Sequence, residues 1–294
     1  MQSIVSYPDR GKWGNSSYRG NCTGHLIKDL IQHFYPNSKP QKFIEVFSGG
    51  GTGLDVAKEL GITNSVHLDL NNGWNALIDQ IPFASDLCYS HPPYWDIIRY
   101  ETQRGNYHPD DLSNIMSYDE FIAKLDMVNA KIYQSLVNGG RHCILIGDVR
   151  KRGKYYSVIK DMTWFGDIES HVIKVQHNCL SNNKVYSNNN FIPIVHEHLL
   201  VFKKNEVWAV NLKRTTTKTF DLRQFKNITW RDLVQGAIQW LGGQATLQQI
   251  YEVIKGSKKA KNNNYWKEKI RQTLQLHENF YSIERGVWGL RINV

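Results

Sequence analysis

The segment from Phe43 to Leu70 constrains the fold of this 294-residue chain more than any other. Phe43 to Phe47 is a strand-like apolar run, and a glycine-rich turn, Ser48 to Gly53, follows it. A pattern with helical spacing, Leu54 to Leu60, comes next, and Val66 to Leu70 is a second strand-like run. Strand, turn, helix and strand form the repeating unit of a parallel sheet. The sequence therefore predicts an α/β fold with ligand-binding loops at the carboxyl ends of its strands.

The glycine turn and the acid that follows it have the properties of a ligand site. Glycines let backbone approach a ligand closely, and the N-terminus of the following helix favours ligand oxygens. The spacing Gly49-x-Gly51-x-Gly53 differs from the dinucleotide fingerprint, so a plain structural turn is the alternative. Asp69 ends the second strand, where an acid in nucleotide-type sites accepts hydrogen bonds from ribose hydroxyls. The alternative for Asp69 is an ordinary strand end at the surface.

A second unusual segment runs from Leu87 to Trp95. Leu87 to Tyr89 reads as a short buried strand, and Pro92-Pro93 must end it in a stiff, extended turn. Tyr94-Trp95 follows on a loop, where packing alone does not account for bulky aromatic side chains. A carbonyl-rich turn beside an aromatic plate is suited to holding a flat polar ring by its edge and its face.

Together, these segments resemble the amino-methylating DNA methyltransferases, which use S-adenosylmethionine. Glu45-Val46-Phe47-Ser48-Gly49-Gly50-Gly51 is similar to the cofactor loop of that family. His91-Pro92-Pro93-Tyr94 is similar to its (Asp/Asn/Ser)-Pro-Pro-(Tyr/Phe/Trp) turn, except at the first position. The stretch Tyr18 to Ile31 resembles the additional segment that cups the methionine end of the cofactor. The resemblance covers roughly residues 15–204 and implies a mostly parallel, Rossmann-like methyltransferase sheet with an antiparallel closing hairpin.

The resemblance also implies roles for individual residues. An exocyclic amino group is a poor nucleophile because its lone pair is delocalised into the ring, and preorganised acceptors favour the pyramidal nitrogen that attacks the methyl group. The Pro92 carbonyl and the side chain at position 91 are the implied acceptors, and Tyr94 is implied to stack on a base that has left the duplex. The implied catalytic residues are His91, Pro92, Pro93, Tyr94 and Ser90. The implied cofactor-binding residues are Asn21, Thr23, Glu45, Phe47, Ser48, Gly49, Gly51, Thr52, Gly53, Asp69 and Leu70.

His91 departs from the family pattern, which has an oxygen acceptor at this position. Neutral histidine accepts through one ring nitrogen, whereas an imidazolium cannot accept at all. Three interpretations are open: His91 is a working acceptor, Ser90 or a nearby group replaces it, or the site is inactive. The resemblance to the subclass of the family with this order of motifs implies adenine N6, the commoner target in that subclass, over cytosine N4.

The rest of the catalytic segment continues the α/β pattern. Ser117 to Glu120 is a capping box that opens a helix, and Asn138-Gly139-Gly140 is predicted to end it. His142 to Asp148 is predicted to be a buried strand and Tyr155 to Phe165 a helix. A closing antiparallel pair is predicted for His171 to Val175 and His196 to Phe202. His196 and His198 fit an ordinary strand face better than a metal site, so no metal is predicted.

Charge separates a near-neutral body from a basic tail. Residues 205–294 carry 15 Lys and Arg against 7 Asp and Glu, whereas residues 1–204 carry 21 against 20. The predicted domains are a methyltransferase domain at 1–204, a linker at 205–224, and a domain at 225–294 with three helices and a hairpin. The last resembles the winged helix-turn-helix modules of some modification enzymes, which insert a helix into the major groove or bind protein.

Basic and aromatic side chains on two polar loops and on the tail are predicted to contact DNA. They are Arg99, Arg104, Lys184, Tyr186, Lys258, Lys259, Lys261, Lys267 and Arg271. No apolar run approaches the ~20 residues that span a bilayer, and no signal peptide or C-x-x-C pair is present, so a cytoplasmic protein is expected.

The sequence therefore predicts a DNA amino-methyltransferase that uses S-adenosylmethionine and acts on double-stranded DNA. Associated restriction or mobile-element proteins are the further partners that the resemblance suggests. An RNA or protein-amide methyltransferase is one alternative, and the basic tail argues against a protein substrate. A catalytically silent DNA-binding protein is the other.

Overall fold

The computed structural model of the protein describes residues 1–82, 84–177, 192–206, 209–225 and 228–291. Its internal contacts divide the chain into two compact units, Met1–Thr215 and Thr216–Val294. Within the described ranges, every helix is too short or too polar to cross a membrane.

A twisted seven-stranded sheet organises the first unit. The strands of this unit are β1 (Ile4–Ser6), β2 (Phe43–Val46), β3 (Ser65–Leu68), β4 (Ser85–Ser90), β5 (Leu136–Ile146), β6 (Val149–Lys151), β7 (Lys154–Tyr156), β8 (Trp164–Phe165), β9 (Asp167–Val175), β10 (His196–Lys203) and β11 (Leu212–Lys213). The sheet has the order β1-β9-β10-β5-β4-β2-β3. Its pairings are parallel except that β10 runs antiparallel to both of its neighbours, β5 and β9. The predicted mostly parallel sheet with an antiparallel closing pair is confirmed.

Helices cover both faces of this sheet. They are α1 (Gly24–Phe34), α2 (Thr52–Glu59), α3 (Glu101–Arg104), α4 (Tyr118–Ser135) and α5 (Val158–Asp161). Alternate strand residues point to opposite faces, so Phe43 and Leu87 pack with α1 and α2, whereas Ile44 and Cys88 pack with α4. Buried side chains on both faces make the arrangement doubly wound, as the predicted fold class requires.

Two predictions for the first unit are wrong: the end of one helix and the existence of another. The long helix ends at Ser135 rather than at Asn138 to Gly140, because Leu136 is buried in extended backbone and the glycines lie inside β5. The predicted helix from Tyr155 to Phe165 is replaced by β7, the single turn α5 and β8. Polar anchors account for the change: Asp148 accepts from the Tyr155 hydroxyl at 2.6 Å, and Asp126 accepts from the Thr163 backbone N–H at 2.7 Å.

The second unit contains the three helices and the hairpin predicted from the sequence, together with an added strand and a short basic helix. Its elements are α6 (Trp230–Trp240), β12 (Gln244–Thr246), α7 (Leu247–Ile254), α8 (Lys258–Lys261), α9 (Trp266–Leu276), β13 (Phe280–Glu284) and β14 (Val287–Leu290). Capping boxes at Thr229 and Thr246 begin α6 and α7. The predicted basic loop contains α8, because the Ser257 hydroxyl accepts from the Ala260 N–H and starts a helical turn. The strands form an antiparallel sheet in the order β12-β14-β13.

Candidate functional site

A cleft lies at the carboxyl ends of β2, β3 and β4. The chain leaves β2 toward β3 on one side and returns to β4 on the other, so the cleft is at a topological switch point, where α/β sheets bind ligands. It contains about 780 Å³ of empty space, including the part open to solvent. Its lining residues are Tyr18, Gly20, Asn21, Cys22, Ile27, Glu45, Phe47, Ser48, Gly49, Thr52, Asp69, Leu70, Asn71, Trp74, Ala76, Tyr89, His91, Pro93, Tyr100, Arg104, Asp110, Asp111 and Leu112.

The glycine turn between β2 and α2 forms one wall of the cleft. Phe47 has a φ of 64°, which is uncommon for a residue with a side chain and is typical of functional sites. Gly49 and Gly51 also have positive φ, at 49° and 83°. Gly51 is the N-cap of α2, does not line the cleft, and has no atom near the position of an added Cβ. The importance of Gly51 is therefore in its left-handed backbone rather than in close approach to a ligand.

Two buried acids hold this wall together. The Glu45 carboxylate lies 2.6 Å from His67 Nδ1, and an added Cβ at Gly53 would lie 2.4 Å from that carboxylate. Any side chain at position 53 would therefore collide with Glu45, and Gly53 itself does not line the cleft. Asp69 accepts backbone hydrogen bonds from Gly49 at 2.8 Å and from Asn71 at 2.8 Å. Burial raises the pKa values of Glu45 and Asp69 above their usual range, against the opposing effect of these hydrogen bonds.

The N-terminal segment closes the cleft from another side. Asn21 accepts from the Gly50 N–H at 3.0 Å and donates to the Asn15 carbonyl at 2.7 Å. Asn15 in turn donates its backbone N–H to the Gly50 carbonyl at 2.8 Å. Asn21 therefore faces the cleft as predicted, whereas Thr23 does not line it. Thr23 is the N-cap of α1, and its hydroxyl donates to the Arg10 carbonyl at 3.2 Å.

Two aromatic side chains, Tyr18 and Tyr100, line the cleft together. Tyr18 and Tyr100 are stacked, with ring centroids 5.6 Å apart and an interplanar angle of 18°. The Arg19 N–H also donates to Gln103 Oε1 at 2.7 Å. The loop after the Pro-Pro turn therefore folds back over the N-terminal segment, a contact that the sequence did not reveal.

Arg104, which the sequence assigned to DNA contact, is buried in the cleft. Its guanidinium donates to the Asp111 carboxylate at 2.8 Å and to Asn106 Oδ1 at 3.0 Å. The side chains of Arg104 and Asp111 are only 9% and 5% exposed. Asp110 lines the cleft beside them. The adjacent acids in the sequence were the signal that could have revealed this pairing.

The Pro-Pro turn supplies the wall that faces the glycine turn. His91 and Pro93 line the cleft, while Pro92 is buried and does not line it. Ser90 is fully buried, outside the lining, and its hydroxyl lies 2.8 Å from His142 Nε2. Burial lowers the pKa of His142 to about 3, so this pair is neutral.

The two aromatic residues after the prolines serve packing and hydrogen bonding. Trp95 is buried in the apolar core between sheet and α4, and its indole N–H donates to the Met116 carbonyl at 2.9 Å. Tyr94 packs on the Gly147 backbone, where an added Cβ would lie 2.6 Å from its ring. Tyr94 does not line the cleft. Packing therefore accounts for both side chains, contrary to the prediction from the sequence.

A chain of polar groups connects the Pro-Pro turn to the closing strands. His91 Nε2 lies 2.9 Å from the Tyr94 hydroxyl, which donates to Glu197 Oε1 at 2.7 Å. Lys174 donates to the other oxygen of Glu197 at 2.6 Å. Sequence reasoning missed Glu197 and Lys174. The available signal was a carboxylate, Glu197, between two histidines at the start of the closing strand, just before its apolar run.

The predicted DNA contacts occupy several environments. Arg99 is exposed and pairs with Glu101, and Lys184 and Tyr186 lie outside the described residues. In the second unit, Lys258 and Lys261 are exposed on α8, Lys259 donates to the Ile228 carbonyl, and Lys267 and Arg271 contact Tyr251. No group of three potential metal ligands occurs in the described part of the chain.

The similarities found for this chain are to solved structures. No family model matches its sequence, and no curated protein matches it significantly. One solved structure is of a Thermus thermophilus protein named as an assumed DNA modification methylase, in complex with S-adenosyl-L-methionine. It is 18% identical to this chain, with a TM-score of 0.30. The match covers 62% of this chain and 60% of that one. TrmN from Thermus thermophilus is 13% identical, with a TM-score of 0.38 and coverage of 63% and 50%. An S-adenosylmethionine-dependent methyltransferase from Clostridium acetobutylicum is 12% identical, with a TM-score of 0.32 and coverage of 63% and 94%.

The chain therefore spans half to three-fifths of the length of the first two of these proteins. TM-scores in this range do not establish a shared fold, so the similarities assign no function to the chain.

Proposed function

We propose that the first unit is an S-adenosylmethionine-dependent methyltransferase that acts on an exocyclic amino group of DNA, with adenine N6 preferred over cytosine N4. One observation carries the proposal: the glycine turn and the His91-Pro92-Pro93 turn meet across one cleft. Val46 and Ser90 are paired in neighbouring parallel strands, and the His91 N–H donates to the Val46 carbonyl at 3.3 Å. The strands that precede the two motifs thus end side by side, which brings the motifs together at one edge of the sheet.

The lining of the cleft fits S-adenosylmethionine. Four acids, Glu45, Asp69, Asp110 and Asp111, line it against one arginine, Arg104. A negative lining favours a ligand with a sulfonium and an ammonium group. Asp69 at the end of β3 is the acceptor for a ribose diol, and Asn21 with the glycine turn would hold the methionine end. When bound, this cofactor supplies an electrophilic methyl group.

Apolar and aromatic side chains complete the fit. Phe47, Leu70, Trp74 and Ala76 also line the cleft, and together they offer apolar surface suited to a purine ring. His91 and Pro93 line the cleft as well, so a flat base can enter beside the glycine turn. In this arrangement the chain's own task is to hold an amino group in line with the donor and to accept its hydrogen bonds.

The charge and fold of the second unit support DNA as the substrate. Residues 216–294 carry 13 basic against 6 acidic side chains. Helices α6, α7 and α9 with a three-stranded antiparallel sheet have the element order of a winged helix. We propose that this unit binds double-stranded DNA, with α9 as the helix that enters the major groove. Lys269, Gln272 and Gln275 lie on one surface of α9 and could reach base edges or phosphates.

Methylation with labelled S-adenosylmethionine tests the proposal. Plasmid DNA, total RNA and a glutamine-containing peptide library are incubated separately, and the products are digested and identified by mass spectrometry. We expect N6-methyladenine from the plasmid. Label in RNA or peptide alone would replace DNA by the alternative substrate, and cofactor binding without any transfer would identify a catalytically silent protein.

Asp69→Ala and Arg291→Ala are the matched variants for this assay. The first removes the proposed ribose acceptor, and the second removes an exposed cation in the second unit. Loss of label in the first variant alone assigns the activity to the cleft. Equal label in wild type and Asp69→Ala would mean that a contaminating enzyme or another site transfers the methyl group.

A further inference from the structure

Behind His91 lies a buried hydrogen-bonded chain that the proposed chemistry does not by itself require. It runs from Lys174 on β9 through Glu197 on β10 and Tyr94 to His91 Nε2, with separations of 2.6, 2.7 and 2.9 Å. The side chains of Lys174 and Glu197 are 12% and 9% exposed. Because Glu197 and Lys174 are opposite each other in the sheet, the carboxylate is fixed in place.

The direction of each hydrogen bond follows from the charge of the groups. Burial alone would raise the pKa of Glu197, but Lys174 and its other polar neighbours outweigh burial and lower it below the usual range. Glu197 is therefore a carboxylate, which only accepts hydrogen bonds. Burial beside this carboxylate raises the pKa of Tyr94 well above its usual value, so the phenol keeps its single proton. That proton is donated to Glu197.

The tautomer of His91 is then determined. Since the Tyr94 proton is used by Glu197, the Tyr94 oxygen accepts, and His91 Nε2 must carry the hydrogen that it donates. Burial lowers the pKa of His91 to about 4, so the ring is neutral and carries no second hydrogen near neutral pH. Nδ1 consequently has a free lone pair.

The Nδ1 lone pair is accessible to a ligand in the cleft. His91 Nδ1 has no hydrogen-bond partner among the described residues and is not a buried unsatisfied atom, so it reaches accessible space. His91 lines the cleft. A ring held by its Nε2 edge on Tyr94 therefore offers an acceptor, and not a donor, to a ligand.

We propose that Tyr94 and Glu197 are positioning residues that hold His91 as the Nε2-protonated tautomer, with Nδ1 as the acceptor for the target amino group. The proposal rests on the proposed methyl transfer for its purpose, but the tautomer is a property of the protein alone. It explains how an imidazole replaces the oxygen acceptor of the family pattern. A donor in this place would repel an amino group, whereas the fixed acceptor attracts it.

Histidine nitrogen NMR of the full-length protein tests the tautomer without any assay of activity. The protein is labelled with ring-¹⁵N histidine, and the His91 signals are identified by their loss in His91→Asn. We expect a protonated Nε2 and an unprotonated Nδ1 in the wild type. A protonated Nδ1 would overturn the proposal, whatever the enzymatic result.

Tyr94→Phe is the main variant because it keeps the ring on Gly147 and removes only the hydroxyl. We expect its His91 signals to shift toward a mixture of tautomers and kcat to fall by about ten- to a hundredfold, with unchanged cofactor affinity. Glu197→Gln is the second variant, because its amide can donate to the Tyr94 oxygen and let the phenol donate to His91, which reverses the tautomer. Circular dichroism verifies that both variants fold.

Tyr118→Phe is the matched control. Tyr118 is also a partly buried phenol that donates to a carboxylate, Asp161, at 3.0 Å, and it does not line the cleft. It should leave the His91 signals and kcat unchanged. An unchanged tautomer and rate in Tyr94→Phe would refute the positioning role. The expected tautomers without methylation of any substrate would support the role and refute only the proposed function.

Discussion

The buried imidazole of His142 should make the first unit sensitive to acid, by an amount that the structure allows to be calculated. His142 is 2% exposed, and burial lowers its pKa to about 3, whereas an unfolded chain has a histidine pKa of about 6.5. The folded state thus binds the proton less well than the unfolded state. The stability that neutral His142 provides is complete above about pH 6.5 and is lost as the pH falls toward about 3.

The size of the effect follows from the same values. Each pH unit below the unfolded pKa costs about 1.4 kcal/mol per histidine, so lowering the pH from about 8 to about 5 should cost about 2 kcal/mol through His142. We propose urea unfolding of wild type and His142→Gln at both pH values. The variant keeps a polar side chain for Ser90 but has no titrating ring, so its stability should fall by about 2 kcal/mol less than that of the wild type.

The difference in pH dependence between wild type and His142→Gln reports on His142 alone, because every other titrating group is present in both proteins. His277→Gln, which removes an exposed ring in the second unit, is the control and should follow the wild type. Equal pH dependence of unfolding in wild type and His142→Gln would refute the argument. It would mean that the ring either takes up a proton in the folded state or is already shielded in the unfolded chain.

Four further changes test the cleft and the second unit. Gly53→Ala places a Cβ 2.4 Å from the Glu45 carboxylate and should weaken S-adenosylmethionine binding at least about tenfold by calorimetry; unchanged affinity would contradict the role of the acid. Asp69→Ala should weaken it about ten- to a hundredfold, as loss of a charged hydrogen bond of ~1.5–3 kcal/mol implies. Deleting 216–294 should preserve cofactor binding but weaken DNA binding and flatten its salt dependence, and the same slope in both proteins would exclude a DNA-binding role. Because the pKa of His91 is lowered to about 4, methylation should stay level as the pH falls to about 5 and decline only near 4, and a decline centred near 6.5 would exclude this environment.

The parts of the site that follow from local chemistry could be predicted from the sequence. The glycine turn between Phe47 and Thr52 and the prolines after His91 restrict the backbone through their own covalent structure, so their neighbours had little influence on the result. Once both were placed at strand ends, the switch-point rule brought them to one cleft. Asp69 follows β3 and lies there for the same reason, whereas Asn21 precedes α1 and is held against the glycine turn by the Gly50 N–H.

The parts that depend on distant partners could not be predicted. Tyr94 was expected to face a base, but its hydroxyl partner, Glu197, is 103 residues away in the sequence. Arg104 was expected to contact DNA, because the adjacent acids in the sequence do not by themselves show that Asp111 pairs with it in the cleft. The sequence left open whether the ring of His91 can accept a hydrogen bond, and only burial among folded elements shows that its pKa is lowered to about 4. Pairing and desolvation are tertiary effects that periodicity does not encode.

The place of β10 in the sheet has a consequence for synthesis of the chain. β10 is the last of the seven strands to leave the ribosome, yet it lies between β5 and β9, and β1 pairs only with β9. The β1–β9 pair therefore joins the rest of the sheet through β10, and the edges of β9 and β5 that face β10 stay unpaired until β10 is inserted. Such long-range closure slows folding and exposes strand edges to other chains. A nascent chain of this protein thus has exposed strand edges until β10, which carries Glu197, has been added.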